Sequence, residues 1–176
     1  DFAQGLRALM RQDPDILMVG EIRDLATADM AVQAALTGHL VFSTLHTNDA
    51  PSAVMRLMEL GVPPYLINAT VLGVLGQRLV RTLCPLCKQP DTEASRDTFD
   101  DVIKPWQANG SYAPYRPVGC IDCRMTGFKG RMGLYELLVT SEVFKEKVTH
   151  EPSMDALRRQ AVTDGMRPLR VAGAMR

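Results

Sequence analysis

The sequence predicts an α/β protein whose parallel sheet carries a small cysteine-bound appendage. Ile16-Leu17-Met18-Val19 is a short apolar run between turn residues, the pattern of a strand buried on both faces, and Leu40-Val41-Phe42-Ser43-Thr44-Leu45 reads as a second strand. An alanine-rich helical stretch, Leu25 to Leu36, lies between them, so strand, helix and strand fit in the ~30 residues of one βαβ unit with a right-handed crossover. The four cysteines fall into two C-x-x-C pairs, Cys84 with Cys87 and Cys120 with Cys123.

Each element has its own signals. Phe2, Leu6, Leu9 and Met10 share one helical face, and Asp13-Pro14-Asp15 stops that helix before the first strand. Gly20 ends the strand and Asp24 is placed to cap the helix that Gly38 terminates. Asn48 or Asp49 caps the next helix, with Pro51 in its first turn and the helical pattern running from Ala53 to Leu60, before Gly61. After Pro63-Pro64 a longer helix is expected over about Tyr65 to Leu79. Residues 88–118 are polar and broken by Pro90, Pro105, Pro114 and Pro117, which reads as an irregular, exposed excursion. Arg131 to Val139 reads as a returning strand, and Ser141 to His150 and Ser153 to Thr163 as two closing helices that each begin at a serine.

A chain of 176 residues can hold one domain with a true core and a small appendage. With 46% hydrophobic and 23% charged residues it is an ordinary globular composition, and zero formal net charge argues against a nucleic-acid binder. Asp1-Phe2-Ala3-Gln4 has no export signal, and the apolar region Tyr65 to Val80 is interrupted by Asn68, Thr70, Gln77 and Arg78, too short and polar to span a bilayer. Asp1 opens directly into a helical pattern and Leu169 to Arg176 stops inside another, so both ends look cut and a fragment is expected.

A C-x-x-C turn points two thiolates at one centre, and two such turns complete a tetrahedron around Zn²⁺. The 32 residues between the pairs exceed the usual ribbon spacing, yet loop entropy grows only by about 0.6 kcal/mol per doubling, far less than zinc returns. Four protein ligands fill the site, so it should be structural. Two disulfides fit poorly with a chain lacking export signals, and neither pair sits on the βα turn of a redox motif.

Glu21 follows the first strand at the carboxyl edge, where open parallel sheets bind ligands. An acid there can hold a magnesium-bound water or orient and deprotonate an attacking one. It can equally be a helix N-terminal acid favoured by the dipole, and local pattern leaves both readings open. His46 follows the second strand; with strands about 4.8 Å apart, it can face the same ligand as Glu21 at one sheet edge, lie one strand further away, or be a packed, hydrogen-bonded residue. His39 lies at the opposite end and reads as structural. Arg23 and Asp24 read as a pair or a cap, and Arg78 and Arg81 as a solvated helix face or as groups reaching nucleotide across a subunit boundary. No G-x-x-x-x-G-K-[ST] occurs, so the phosphate cradle is missing.

The stretch from Gly5 to Asp24, ending Asp15-Ile16-Leu17-Met18-Val19-Gly20-Glu21-Ile22-Arg23-Asp24, resembles the signature of the secretion-ATPase superfamily, which includes type II secretion ATPases and type IV pilus assembly and retraction ATPases. Thr37 to Asn48 is similar to that family's histidine box, Gln77 to Cys84 to its approach to the metal-binding subdomain, and Gly127 to Glu136 to the segment after it. The resemblance implies the second half of a RecA-like P-loop NTPase core over residues 1–82, an inserted tetracysteine zinc-binding subdomain over 83–130, and a C-terminal strand and helices over 131–176. It implies a cytoplasmic homo-hexameric ATPase, peripheral at the inner membrane, which uses ATP and Mg²⁺ to drive pseudopilus or pilus assembly. Its partners would be the inner-membrane secretion platform and its cytoplasmic recruitment protein, with no nucleic acid.

By the same resemblance, Glu21 is the catalytic Walker B glutamate, His46 the histidine near the γ-phosphate, and Cys84, Cys87, Cys120 and Cys123 the zinc ligands. Retraction ATPases generally lack the tetrad, so secretion or assembly is expected, and the stretch Gln77 to Cys87 favours type II secretion over type IV pilus assembly. Without Walker A, this piece alone should bind ATP poorly and not turn it over. A freestanding zinc-ribbon interaction module would explain the cysteines but neither strand-end residue.

Overall fold

The computed structural model describes residues 5, 8–12, 14–106 and 113–176. In chain order its elements are β1 (Ile16–Val19), α1 (Leu25–Leu36), β2 (Leu40–Ser43), α2 (Ala50–Glu59), α3 (Pro64–Thr70), β3 (Gly73–Leu83), β4 (Gln89–Pro90), α4 (Arg96–Ile103), β5 (Tyr115–Arg116), β6 (Phe128–Val139), α5 (Glu142–Lys145), α6 (Met154–Thr163) and α7 (Leu169–Ala174). The chain divides into two compact units, residues 1–76 with 137–166 and residues 77–136 with 167–176.

The first unit is built on the expected βαβ element. β1 and β2 pair in parallel, Ile16 opposite Leu40 and Val19 opposite Ser43. Asp24 caps α1, its carboxylate accepting the Thr27 N–H at 2.8 Å, and Gly38 leaves the helix at φ +97°, a conformation that a side chain would strain. Asp49 caps α2 in the same way through the Ser52 N–H at 2.9 Å, and its other oxygen meets Arg158 of α6 at 2.8 Å. Of the helix expected before β1, Phe2 and Leu6, like the stop residue Asp13, lie outside the described residues; Ala8 to Met10 are helical.

Several expectations are corrected. The helix expected over Tyr65 to Leu79 ends at Thr70, and Gly73 to Leu83 is a strand. Gly73 and Gly76 weaken helix and the β-branched Val74, Val80 and Thr82 favour extended chain, although Leu72, Leu75, Leu79 and Leu83 keep a helix-like spacing. β1 is buried on one face only: Leu17 and Val19 enter the core, while Ile16 and Met18, with Leu40 and Phe42 of β2, are exposed. An unbroken apolar run does not say how many of its faces are covered. β2 stops at Ser43, two residues early, and the helix after Ser141 is a single turn.

Leu17, Val19, Ala28, Val32, Val54, Ile67, Leu138, Phe144 and Leu157 belong to one apolar cluster of this unit. Phe144 is fully buried at its centre. Phe144→Ala is expected to cost about 3–5 kcal/mol, read by chemical denaturation, because a cavity that size cannot close fully.

β3 and β6 pair, and residues 77–83 of the one and 128–136 of the other belong to the second unit. Gln77 Nε2 reaches the Tyr135 hydroxyl at 3.4 Å and the Thr82 hydroxyl donates to the Lys129 carbonyl, so the strands run in opposite senses. β6 begins at Phe128, three residues before the expected start. The excursion is less irregular than its composition suggests. It contains the small antiparallel β4–β5 pair and α4, whose cap Ser95 accepts the Thr98 N–H; residues 107–112 lie outside the described residues. Buried Glu136 accepts the Leu169 N–H at 2.8 Å and so fixes the start of α7. Arg78 and Arg81 sit on strand β3, not on a helix face, and the Arg81 guanidinium stacks 3.9 Å from the Phe128 ring centroid. Among the described residues no helix is long and apolar enough to cross a membrane.

Candidate functional site

Parallel pairing sends both strands out at one rim. The chain leaves β1 through Gly20 and β2 through Thr44, and the two exits are stitched together: the Ile22 N–H donates to the Thr44 carbonyl at 3.1 Å, and the Thr44 hydroxyl to the Gly20 carbonyl at 2.6 Å. This extends the register beyond the strands and brings Glu21 and His46 side by side, His46 Nε2 lying 2.9 Å from Glu21 Oε1. An ionised carboxylate only accepts, so Nε2 carries the proton of that bond.

The second carboxylate oxygen is also engaged. Arg23 reaches Glu21 Oε2 at 2.7 Å. The sequence reading missed this role. Its signal was the Glu-x-Arg spacing, which in extended chain puts side chains two apart on one side. Asp24, by contrast, is a plain helix cap. Glu21 is 21% exposed, whereas Arg23 and His46 are 76% and 86% exposed, so the acid is seated and its two partners project outward. The rim therefore presents two N–H-bearing groups, one permanently cationic, backed by a carboxylate. His39 lies away from it, hydrogen-bonding the Ala34 carbonyl at 3.0 Å.

The Arg23 hydrogen bond holds the Glu21 carboxyl below the usual carboxylate range; partial burial opposes it, and the charges of Arg23 and His46 add to it. The associated stability is present above the ordinary carboxyl pKa and lost as pH falls through the lowered one. Arg23→Ala is thus expected to move the Glu21 titration upward in a carboxyl-detected NMR pH series; an unmoved titration excludes the pairing in solution.

The second cluster is the cysteine tetrad. All four Sγ atoms lie within 4.8 Å of one another, with Cys84–Cys120 at 3.9 Å, Cys87–Cys123 at 3.8 Å and Cys120–Cys123 at 3.7 Å. A tetrahedron of Zn–S bonds of 2.3 Å has edges of about 3.8 Å, so the donor set fits that ion. None of the four is in a disulfide. Backbone N–H groups serve the sulfurs: Gly119 on Cys87 at 3.3 Å, and Cys120 and Gly127 on Cys123, each at 3.2 Å. Gly127 has φ +75°, and a Cβ there would run into Pro117. Burial raises the Cys87 thiol to about 11, with the other three thiols adding and the Gly119 N–H opposing. At Cys123 burial is outweighed by the Cys120 and Gly127 N–H groups and the Cys120 and Cys87 thiols, which bring it to about 6.

The model of the type II/IV secretion system protein family matches residues 1–175. The chain belongs to that family. It is 54% identical over 173 residues to the type IV pilus assembly ATPase TfpB of Acinetobacter baylyi, covering 98% of this chain and 29% of the relative. It is 50% identical over 171 residues to the type II secretion system ATPase E of Vibrio cholerae, covering 94% of this chain and 33% of that protein. The chain thus spans about a third of the length of these relatives. Among solved structures it is similar to the pilus retraction motor PilT with bound ADP, at TM-score 0.54 and 25% identity, over 99% of this chain and 43% of that one. It shares the fold of the Legionella pneumophila ATPase DotB at TM-score 0.63 and 23% identity, over 99% of this chain and 38% of that one. As a family member, the chain has the mixed α/β fold that the two apolar runs predict.

Proposed function

We propose that this chain is part of the ATPase of a type II secretion motor, supplying the second half of a RecA-like core from residues 1–82, a zinc-held subdomain from 83–130 and closing elements from 131–176. The 2.9 Å contact between Glu21 and His46, at the carboxyl rim of two parallel strands, carries the reading. That edge is where open parallel sheets take ligands, and an acid beside two N–H-bearing groups suits a magnesium nucleotide. Mg²⁺, when bound, supplies neutralisation of phosphate charge. Glu21 is the residue to hold it or to orient and deprotonate water, His46 to hydrogen-bond the terminal phosphate, and Arg23 to keep Glu21 ionised and aimed.

The similarity to a type II secretion ATPase over 94% of the chain supports secretion; the 54% identity to TfpB favours pilus assembly as the second reading. In both, the whole protein would be a cytoplasmic hexamer, peripheral at the inner membrane, working on a membrane platform through a recruitment protein. The phosphate cradle would come from outside these residues, so this piece alone would not turn over ATP. The four cysteines are the ligands proposed for structural Zn²⁺. A freestanding zinc ribbon leaves the rim unexplained, whereas the family match covers both clusters. The deciding experiment is turnover in the full-length protein with Glu21 replaced.

A further inference from the structure

His46 sits on a stretch that neither a ladder nor a helix holds. Residues 44–49, between the end of β2 at Ser43 and the start of α2 at Ala50, belong to no regular element. The His46 side chain is 86% exposed, so packing does not fix it. Its place is set by what grips the chain on either side. On the near side, the Thr44 hydroxyl is tied to the Gly20 carbonyl and Leu45 packs partly against the apolar cluster. On the far side the grip is Asp49, whose carbonyl also accepts the Thr47 hydroxyl at 3.2 Å.

Asp49 does more than a cap requires. Its Oδ1 accepts the Ser52 N–H at 2.9 Å, which suffices for the helix start. Its Oδ2 accepts two further bonds from Arg158, Nε at 3.0 Å and Nη2 at 2.8 Å. Asp24, the matching cap after β1, meets no cation among the described residues. Arg158 is itself firmly based: Leu157 and Ala161 of α6 are fully buried in the cluster that also holds Leu17 and Val19 of β1. Burial pushes the Asp49 carboxyl up, but Ser52 and Arg158 together outweigh it and hold the group below its ordinary range. An ion pair this exposed adds little to stability, so its value lies in where it holds the chain.

We propose that Arg158 is a positioning residue for the rim: through Asp49 it fixes the far end of the His46 stretch, so that the imidazole stays against Glu21 and faces the terminal phosphate. Its effect on turnover rests on the nucleotide reading of the rim; its effect on His46 does not.

The test uses the full-length protein. Arg158→Ala is expected to lower kcat by about tenfold to a hundredfold with a smaller change in KM, because displacing a reacting group by about 1 Å can cost about 10² in rate. Both Arg158 nitrogens bond one oxygen, so an ammonium can replace them and Arg158→Lys should keep most of the turnover. Asp49→Asn should match Arg158→Ala: asparagine caps as well as aspartate, but with its oxygen on the cap its NH₂ faces the guanidinium. The double variant should be no worse than either alone, since one interaction is being removed. Arg159→Ala, next along α6, should leave kcat unchanged.

In protein with labelled histidine, the His46 imidazole signal, assigned by its loss in His46→Gln, should shift in Arg158→Ala and Asp49→Asn and stay in place in Arg158→Lys and Arg159→Ala. A merely structural pair would lower the melting temperature and leave both that signal and the turnover per folded molecule as they were, and this result would overturn the proposal. Should Arg158→Ala fail to fold, Asp49→Asn decides by the same two readouts. Ordinary turnover in Glu21→Gln would remove the nucleotide reading instead; the His46 signal then decides the anchor, a shift supporting it and an unmoved signal refuting it.

Discussion

Glu21→Gln, introduced into the full-length protein, is expected to lower ATP turnover by about a hundredfold or more while nucleotide binding changes little. The amide keeps the size and shape of the side chain but can neither take a proton nor neutralise a cation, and a positioned general base is worth about 10²–10⁴ in rate. The surroundings sharpen this. Both carboxylate oxygens are engaged, by His46 at 2.9 Å and Arg23 at 2.7 Å, and an amide has one acceptor for two donors. Its NH₂ would face either the guanidinium or the imidazole, so one partner must turn away. Loss of turnover should therefore come with a change in the His46 environment, visible as a shifted imidazole signal. Steady-state hydrolysis together with nucleotide titration checks the first part. Ordinary turnover in the variant would remove Glu21 from the chemistry and leave the rim as a structural clasp.

Cys84→Ser should unfold the surroundings of the tetrad and spare the first unit. Cys84 is fully buried and in sulfur contact with Cys120 at 3.9 Å. A serine hydroxyl is a poor zinc ligand, so the variant forfeits much of a binding energy that in small zinc-binding peptides is about 10–16 kcal/mol and is itself folding energy. With zinc bound, the segment would depend on that energy: besides Cys84 and Cys123, Ile103, Leu134 and Val171 are the buried apolar residues described in its unit. The unit holding β1 and β2 has its own apolar cluster and owes nothing to the metal. Hydrogen exchange should speed up over residues 80–130 and stay slow over α1 and α2. Metal analysis should find about one zinc per chain before the substitution and much less after it.

The legible parts of the fold were those set by local chemistry. Asp24, Asp49, Ser141 and Ser153 each cap the helix they precede, because a short polar side chain and a following amide are sufficient for that interaction. The rim was legible in the same way: two strand-length runs joined by one helix, with Glu21 two residues past Val19 and His46 next after Leu45, bring both to the carboxyl edge of a parallel pair. The tetrad was legible from spacing alone. Hidden from the sequence were outcomes decided by distant partners. Gly73 to Leu83 becomes a strand because β6, some fifty residues later, offers it a ladder; Gly73 lies so close to Leu138 that a Cβ would touch the carbonyl oxygen at 2.8 Å. Arg23 escaped notice because its neighbour Asp24 looked like the nearer acid, yet that acid is spent on the Thr27 N–H.

The uncovered side of the β1–β2 pair has a practical consequence. Ile16, Met18, Leu40 and Phe42 make a greasy plane on a two-stranded ribbon, and such planes find each other. Purified by itself, this polypeptide should scatter light increasingly as it is concentrated. Polar replacements at Met18 and Phe42 are the place to begin in making it tractable for spectroscopy.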